Sequence, residues 1–356
     1  MRKSEIPNNI IETKLLDTMT DLIRVVDKDN RVVYYNHAME KVLEKNERDG
    51  KHDDDRMTAR ALGSGENIQR ETYIGETYYS VKTNPIRSEA GDIIGAIEVF
   101  RDKSVEKRLQ VELIEKNRAL IEEQMSAASI QRALLPQRGY DRFFYTDYFY
   151  RPAEILSGDF FDIIEIDEDH TAIYMADAVG HGFASSMATL FISQTMRNMD
   201  PEILVDPTVA MMGLVHRFRE LNPPDTMYFT MFLGVYSKKN RKFTYANAGH
   251  DCPPLLKRNG HVRLLMNAGF PVTQLVEATF YECRSAYLQK GDELLFYTDG
   301  ITECRSRGRK QYGVDALRDL FSRIGDDPLA EIQQTLDDFI YEDIVDDMTC
   351  LYVKMI

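Results

Sequence analysis

Acidic residues at the ends of β-prone runs, beside glycine or beside one another, are the feature of this 356-residue chain best suited to chemistry. The run Thr171-Ala-Ile-Tyr-Met-Ala176 ends on Asp177, and Ala178-Val-Gly-His-Gly182 follows as a turn. Asp159 lies upstream in Ser157-Gly-Asp-Phe-Phe-Asp162. Asp299 follows the run Glu293–Phe296 within Tyr297-Thr-Asp-Gly300, and the pair Asp346-Asp347 precedes Met348-Thr-Cys-Leu-Tyr-Val353. A carboxylate at a strand end next to glycine is placed to grip a hard cation, because backbone carbonyls can approach closely there too. Any one of these acids alone is more often just a turn residue. Four in the same context predict a single oxygen-rich site for divalent metal.

The elements that must position these acids require more than one domain, since 356 residues exceed an ordinary single domain. A hydrophobic content of 43% is enough for two cores. No run of about 18 apolar residues occurs, and Met1–Asn9 holds no apolar stretch, so neither a membrane span nor a signal peptide is expected. Cys252, Cys283, Cys304 and Cys350 are far apart and form no Cys-x-x-Cys pair, which points to reduced thiols in a cytoplasmic protein. A formal charge of −14 argues against nucleic acid as a partner, because phosphate backbones need a basic footprint.

The N-terminal third reads as a short helix over Leu15–Ile23, then a hairpin of Ile23–Asp27 and Arg31–Tyr35, then a helix around Ala38–Leu43. Two further strands, Tyr78–Ile86 and Ile93–Phe100, are joined through Ser88–Asp92. With Val26-Asp27…Tyr35-Asn36, Asn84-Pro85-Ile86…Gly91 and the exit Phe100-Arg-Asp102, this layout resembles a PAS sensor domain over 10–102. It contains no Cys for flavin chemistry. His37 and His52 are its candidate haem ligands, although a lone histidine is more often an ordinary surface or core residue, and Asp53-Asp54-Asp55 reads as a solvated loop.

A helical linker over 104–136 follows. Leu113, Leu120, Ala127 and Leu134 recur every seven residues, a coiled-coil seam that predicts a homodimer; a solvated single helix is the alternative. The companion seam carries Leu109 and Ile130 at its ends but Lys116 and Glu123 between them, which makes the register easy to shift. Pro136 ends the helix.

From Tyr140 onward, strands and helices alternate in clusters, an α+β pattern. Taken in order, Ser157–Asp162, Asp177–Gly182, Asn247-Ala-Gly-His250 with Pro253-Pro-Leu-Leu256, Leu294–Glu303 and Asp346–Thr349 resemble the metal-dependent (PPM, type 2C) serine/threonine phosphatases, in their bacterial SpoIIE/RsbU-like branch. The resemblance implies an α-β-β-α sandwich over 140–356 and two Mn²⁺ or Mg²⁺ ions. It implies that Asp177 bridges the ions with the Ala178 carbonyl beside it, that Asp299 and Asp346 complete one shell, and that Asp159 serves the other. Asp347 competes with Asp346 for that role. His181 is either a proton donor or a residue that shapes the turn, and Asn247–His250 buttresses the sheet near the site. Such ions activate a shared water and offset phosphoryl charge without a covalent enzyme intermediate. The implied substrate is a phosphorylated signalling protein, an anti-sigma-factor antagonist of the STAS type. The Gln131-x-x-Leu-Leu-Pro136 element is similar to one that packs on the phosphatase in this branch and helps to switch it.

Two departures stand out. Eukaryotic type 2C enzymes carry a phosphate-holding Arg close before the first acidic ligand, whereas here Arg151 is the nearest and several residues intervene. Gly269-Phe-Pro-Val-Thr-Gln-Leu275 also strays from the branch's Gly-Leu-Pro-Leu-Gly. A catalytically silent partner-switching scaffold is the competing reading, although a silent domain has no chemical need for four acids.

Overall fold

The structure, a computed structural model, describes residues 10–46, 56–180, 182–275, 280–325, 327–341 and 344–356. His52, Asp53–Asp55 and His181 lie outside the described residues. The chain divides into two compact units, Met1–Ala119 and Leu120–Ile356.

The first unit comprises α1 (Ile10–Asp17), β1 (Leu22–Asp27), β2 (Val32–Tyr35), α2 (His37–Asn46), α3 (Arg56–Ser64), β3 (Ile68–Ile74), β4 (Thr77–Arg87) and β5 (Ile93–Asp102). Its five strands form one antiparallel sheet in the order β2-β1-β5-β4-β3. Leu22 and Ile23 belong to β1 and not to the helix expected over Leu15–Ile23. Both are buried, and Leu22 packs with Met39, Tyr79, Val81 and Phe100, so burial on the sheet outweighs local helix pattern. Glu98 is fully buried on the inner face, where it accepts from Arg24 Nε and the hydroxyls of Thr58 and Thr83. His37 is largely exposed, and its backbone N–H donates to Asp17 at 3.0 Å.

Helix α4 runs from Ser104 to Ala133. Leu109, Leu113 and Leu120 are exposed, as a helix seam would be in a single chain. At the C-terminal end the heptad pattern gives way. Ala128 and Gln131 are the buried residues there, and Leu134, expected on the seam, lies past the helix end and packs into the core of the second unit.

The second unit continues with β6 (Gly139–Tyr140), β7 (Phe144–Arg151), β8 (Asp159–Glu165), β9 (His170–Ala178), α5 (Phe183–Arg197), α6 (Pro201–Leu204), α7 (Pro207–Leu221), β10 (Tyr228–Ser237) and β11 (Lys242–Ala248). After these come β12 (Leu255–Arg258), β13 (His261–Leu264), β14 (Val272–Thr273), β15 (Arg284–Tyr287), β16 (Glu293–Tyr297), α8 (Asp299–Glu303), α9 (Val314–Arg323), α10 (Pro328–Phe339) and β17 (Met348–Met355). Asp-Pro pairs start three helices. Asp200, Asp206 and Asp327 each cap with a side-chain oxygen while the proline takes the first helical position, where no N–H is needed.

Two antiparallel sheets stack, one in the order β15-β11-β10-β9-β8 with β14 beside β10, the other β13-β12-β16-β17-β7-β6. Phe161, Ile173, Met175, Phe232, Phe296 and Leu351 are fully buried between them. Helices α5 and α7 cover the outer face of the first sheet through Ile192, Leu214 and Phe218. Helices α9 and α10 cover the second through Leu317, Phe321, Ile332 and Leu336. This α-β-β-α sandwich brings the ends of β8, β9, β16 and β17 together.

Candidate active site

Asp159 opens β8 and Asp177 nearly closes β9, and the antiparallel register sets them directly opposite each other. Across the sandwich, Asp299 is the first residue of α8, two residues past the end of β16, and Asp346-Asp347 lead into β17. Hydrogen bonds tie the two sheets at this point. Asp159 is 2% exposed, and its Oδ2 accepts from Thr298 Oγ1 at 2.8 Å and Thr349 Oγ1 at 2.6 Å. Gly300 lets the acid-bearing segments meet, because a Cβ there would stand 2.1 Å from the carbonyl oxygen of Asp347. Gly158 does the same beside the Ala178 carbonyl oxygen, which a Cβ would approach to 2.8 Å.

Burial and neighbouring carboxylates dominate the electrostatics here. Burial, then Asp299, Asp346, Asp347 and Asp251, pushes Asp177 up to about 8. Burial, then Asp346, Asp251 and Glu303, raises Asp299 to about 6. Burial and the neighbouring Asp177 and Asp347 hold Asp159 well above the usual carboxylate range. The charges that weigh most on Asp177 are all carboxylates, a costly arrangement that a bound cation would relieve. Among the described residues, no three Asp, Glu, His or Cys side chains already converge closely enough to enclose one ion. The donor set itself, hard carboxylate oxygens flanked by backbone carbonyls, fits Mg²⁺ or Mn²⁺.

Asp347 is used differently from its neighbour. It is 3% exposed, and its carboxylate accepts from Ala153 N at 2.7 Å, Ser157 Oγ at 2.8 Å and Gly158 N at 2.6 Å, so it pins the loop that presents Asp159. Asp346 is exposed and faces the cluster. An Asp347→Asn chain offers one acceptor oxygen where three donors converge, and it should lose about 1–3 kcal/mol of stability in urea unfolding.

Sequence reasoning left out Asp251 here and gave Gln131 only as part of a switching element, without its contacts. Asp251, next to the Asn247–His250 block, adds its charge to both Asp177 and Asp299. Gln131 of α4 donates through Nε2 to Ser157 O and Thr189 Oγ1, both at 2.8 Å, and Oε1 accepts from Ser157 N at 3.2 Å. His250 is buried between Thr230 Oγ1 at 3.2 Å and Tyr297 O at 3.1 Å, and Asn247 Oδ1 accepts from His250 N. That block therefore buttresses both sheets behind the acids. Asp162 is held by Arg197 Nε at 2.6 Å, and Arg151 is held by Asp337 at 2.7 Å.

Fold and site together define a type 2C-like phosphatase sandwich. The fold is shared with the SiaA-PP2C domain of Pseudomonas aeruginosa, at a TM-score of 0.57 and 18% identity over 67% of this chain and 98% of that one. The RsbU and RsbW domains of Rv1364c from Mycobacterium tuberculosis align at a TM-score of 0.50 and 25% identity, over 60% of this chain and 61% of that one. Residues 167–356 match the family described as Stage II sporulation protein E (SpoIIE), and the chain belongs to that family. Its sequence is 29% identical over 155 residues to the phosphoserine phosphatase RsbU of Bacillus subtilis (strain 168), and 25% identical over 193 residues to RsbP of the same organism. Those alignments take in 44% and 53% of this chain, and the chain spans less than half the length of either relative, 45% and 46%.

Proposed function

We propose that the chain is a divalent-metal-dependent protein serine/threonine phosphatase, regulated by its N-terminal unit and acting on a phosphorylated signalling partner. The observation that supports the reading is the placement of Asp159, Asp177, Asp299 and Asp346 at element ends on one end of the sandwich, with burial and neighbouring carboxylates raising Asp177 and Asp299. Two Mn²⁺ or Mg²⁺ ions held there supply an activated attacking water and neutralise charge on the phosphoryl group. The chain's own part is positional. Asp177, with the Ala178 carbonyl beside it, would be shared by the two ions, with Asp299 and Asp346 holding one and Asp159 the other. Thr298 and Thr349 fix the Asp159 carboxylate, and Asp347 fixes its loop. The names of RsbU and RsbP support phosphoserine as the reacting group. A STAS-type partner is the substrate class proposed, and the cytoplasm the compartment. Among the described residues no helix is long and apolar enough to cross a membrane. The test is Mn²⁺-dependent release of phosphate from a phosphoserine peptide, abolished by EDTA; the absence of any such release would leave the scaffold reading in its place.

Regulation is proposed to run through α4 from a PAS-like unit. The exposed Leu109, Leu113 and Leu120 supply a dimer seam, and Gln131 supplies the contact with the Ser157–Asp159 loop. Gln131→Leu keeps the shape and removes three hydrogen bonds, so the loop loosens. The Mn²⁺ concentration for half-maximal activity should rise about tenfold, with an unchanged circular dichroism spectrum.

A further inference from the structure

Immediately after α8 the chain forms a small hairpin, Cys304-Arg-Ser-Arg-Gly-Arg-Lys-Gln311, closed by an Arg305–Gln311 bridge and turned at Arg309, whose φ is 60°. It presents Arg305, Arg307, Arg309 and Lys310, all exposed, in a chain whose formal charge is −14. Among the described residues, none of the four forms an ion pair with an acid; Arg307 instead lies 5.0 Å over the ring of Tyr341. Beside the hairpin is a cavity of about 220 Å³ whose walls include Cys304, Arg305, Ile344, Val345, Asp346 and Met348. Its lining is apolar at Ile340, Ile344, Val345 and Met348, with one base, Arg305, and two acids, Glu303 and Asp346 of the carboxylate cluster.

We infer that this cavity and hairpin form the docking site for the protein substrate. An apolar side chain flanking the phosphoserine enters the cavity, and acidic residues further along the same segment meet Arg305, Arg307, Arg309 and Lys310. The inference rests on the phosphatase reading and names what that site accepts. Three observations carry it. The cavity is continuous with the cluster through Asp346, so a segment seated in it passes the reacting centre. Its volume lies below the roughly 300–1,000 Å³ of small-molecule sites and suits a side chain. An anionic phosphoprotein approaching an acidic chain is repelled except where a local basic patch steers it, and this hairpin puts such a patch at the mouth of the site.

The experiment uses the full Mn²⁺-loaded chain, p-nitrophenyl phosphate, and two sets of short phosphoserine peptides. One set carries Leu on either side of the phosphoserine and Glu at both ends; the other has Ala and Gln in those places. The Leu/Glu set should show kcat/KM about tenfold higher, mostly through KM. In Val345→Glu, at a position 84% exposed and so tolerant of change, and in the Arg307→Glu/Arg309→Glu chain, the ratio of kcat/KM on that set to kcat/KM on p-nitrophenyl phosphate should fall about tenfold. Equal use of the two sets overturns the inference. So does a variant that slows peptide and p-nitrophenyl phosphate alike, or a charge reversal that abolishes only binding to phosphatidylserine vesicles. Peptide binding, read by fluorescence anisotropy, needs no turnover. A chain that prefers the Leu/Glu set but hydrolyses nothing keeps the docking site and overturns the phosphatase reading, whereas one that hydrolyses without preference does the reverse.

Discussion

Replacing Asp177 with Asn should lower Mn²⁺-dependent kcat on p-nitrophenyl phosphate by at least about 10²–10³-fold, the scale set by losing one main electrostatic contributor to a transition state. Asp177 stands opposite Asp159 on the neighbouring strand and feels Asp299 and Asp346 from the other sheet, so it is the acid shared by both halves of the cluster. Asn keeps the size and the strand geometry but removes the charge. The folded state should therefore survive, and the metal-free variant should be more stable than wild type above pH 7, because the repulsion on Asp177 is gone. Loss of activity together with gain of metal-free stability separates a ligand from a residue that merely supports the fold. Equal rates in the two chains would reinstate the scaffold reading.

The second large effect is the pH dependence of the metal-free chain. Burial and the surrounding carboxylates raise Asp177 from 3.8 to about 8, and Asp299 to about 6. Between the unfolded and folded values the native state holds the extra proton, so stability falls as pH rises through that window. His250, buried with a lowered pKa, acts in the opposite direction, but only below its unfolded value of 6.5. From pH 6.5 to 8 the Asp177 contribution therefore dominates. The EDTA-treated chain should lose about 1–2 kcal/mol across that interval, or roughly 2–8 °C in Tm by scanning calorimetry. Saturating Mn²⁺ should raise Tm more at pH 8 than at pH 6.5, since the ion must displace the proton. A metal-free Tm that is flat or rising over this range would show that the acids are not held together as described.

That the four acids stand at element ends was legible because each sits where a β-prone run meets glycine or a second Asp, a local signal that needs no knowledge of the fold. The Asp-Pro starts of the helices at Asp206-Pro207 and Asp327-Pro328 are likewise short-range chemistry. What escaped is long-range. The reach of the Asp347 carboxylate to Ser157 and Gly158 spans about half the chain and appears only when β17 pairs with β7 and the two sheets stack. Asp251 lies in a stretch that reads as an ordinary turn, and only the stacking of the sheets turns its charge toward Asp177. The seam read through Leu134 failed because a heptad count does not know where a helix stops being free and docks, as α4 does at Ala128 and Gln131. Leu22 and Ile23 carried a helical pattern locally and were drawn into β1 by the sheet. Strands β12 and β13 escaped because each is only four residues long.

The most direct test is an anomalous difference map from crystals of this chain grown with Mn²⁺. Two peaks should appear between the β8–β9 and β16–β17 ends, with carboxylate oxygens of Asp159, Asp177, Asp299 and Asp346 about 2.1 Å from them and Asp347 still bonded to the Ser157–Gly158 loop. A map with no peak among these four side chains, at a Mn²⁺ concentration that supports hydrolysis, would contradict the account.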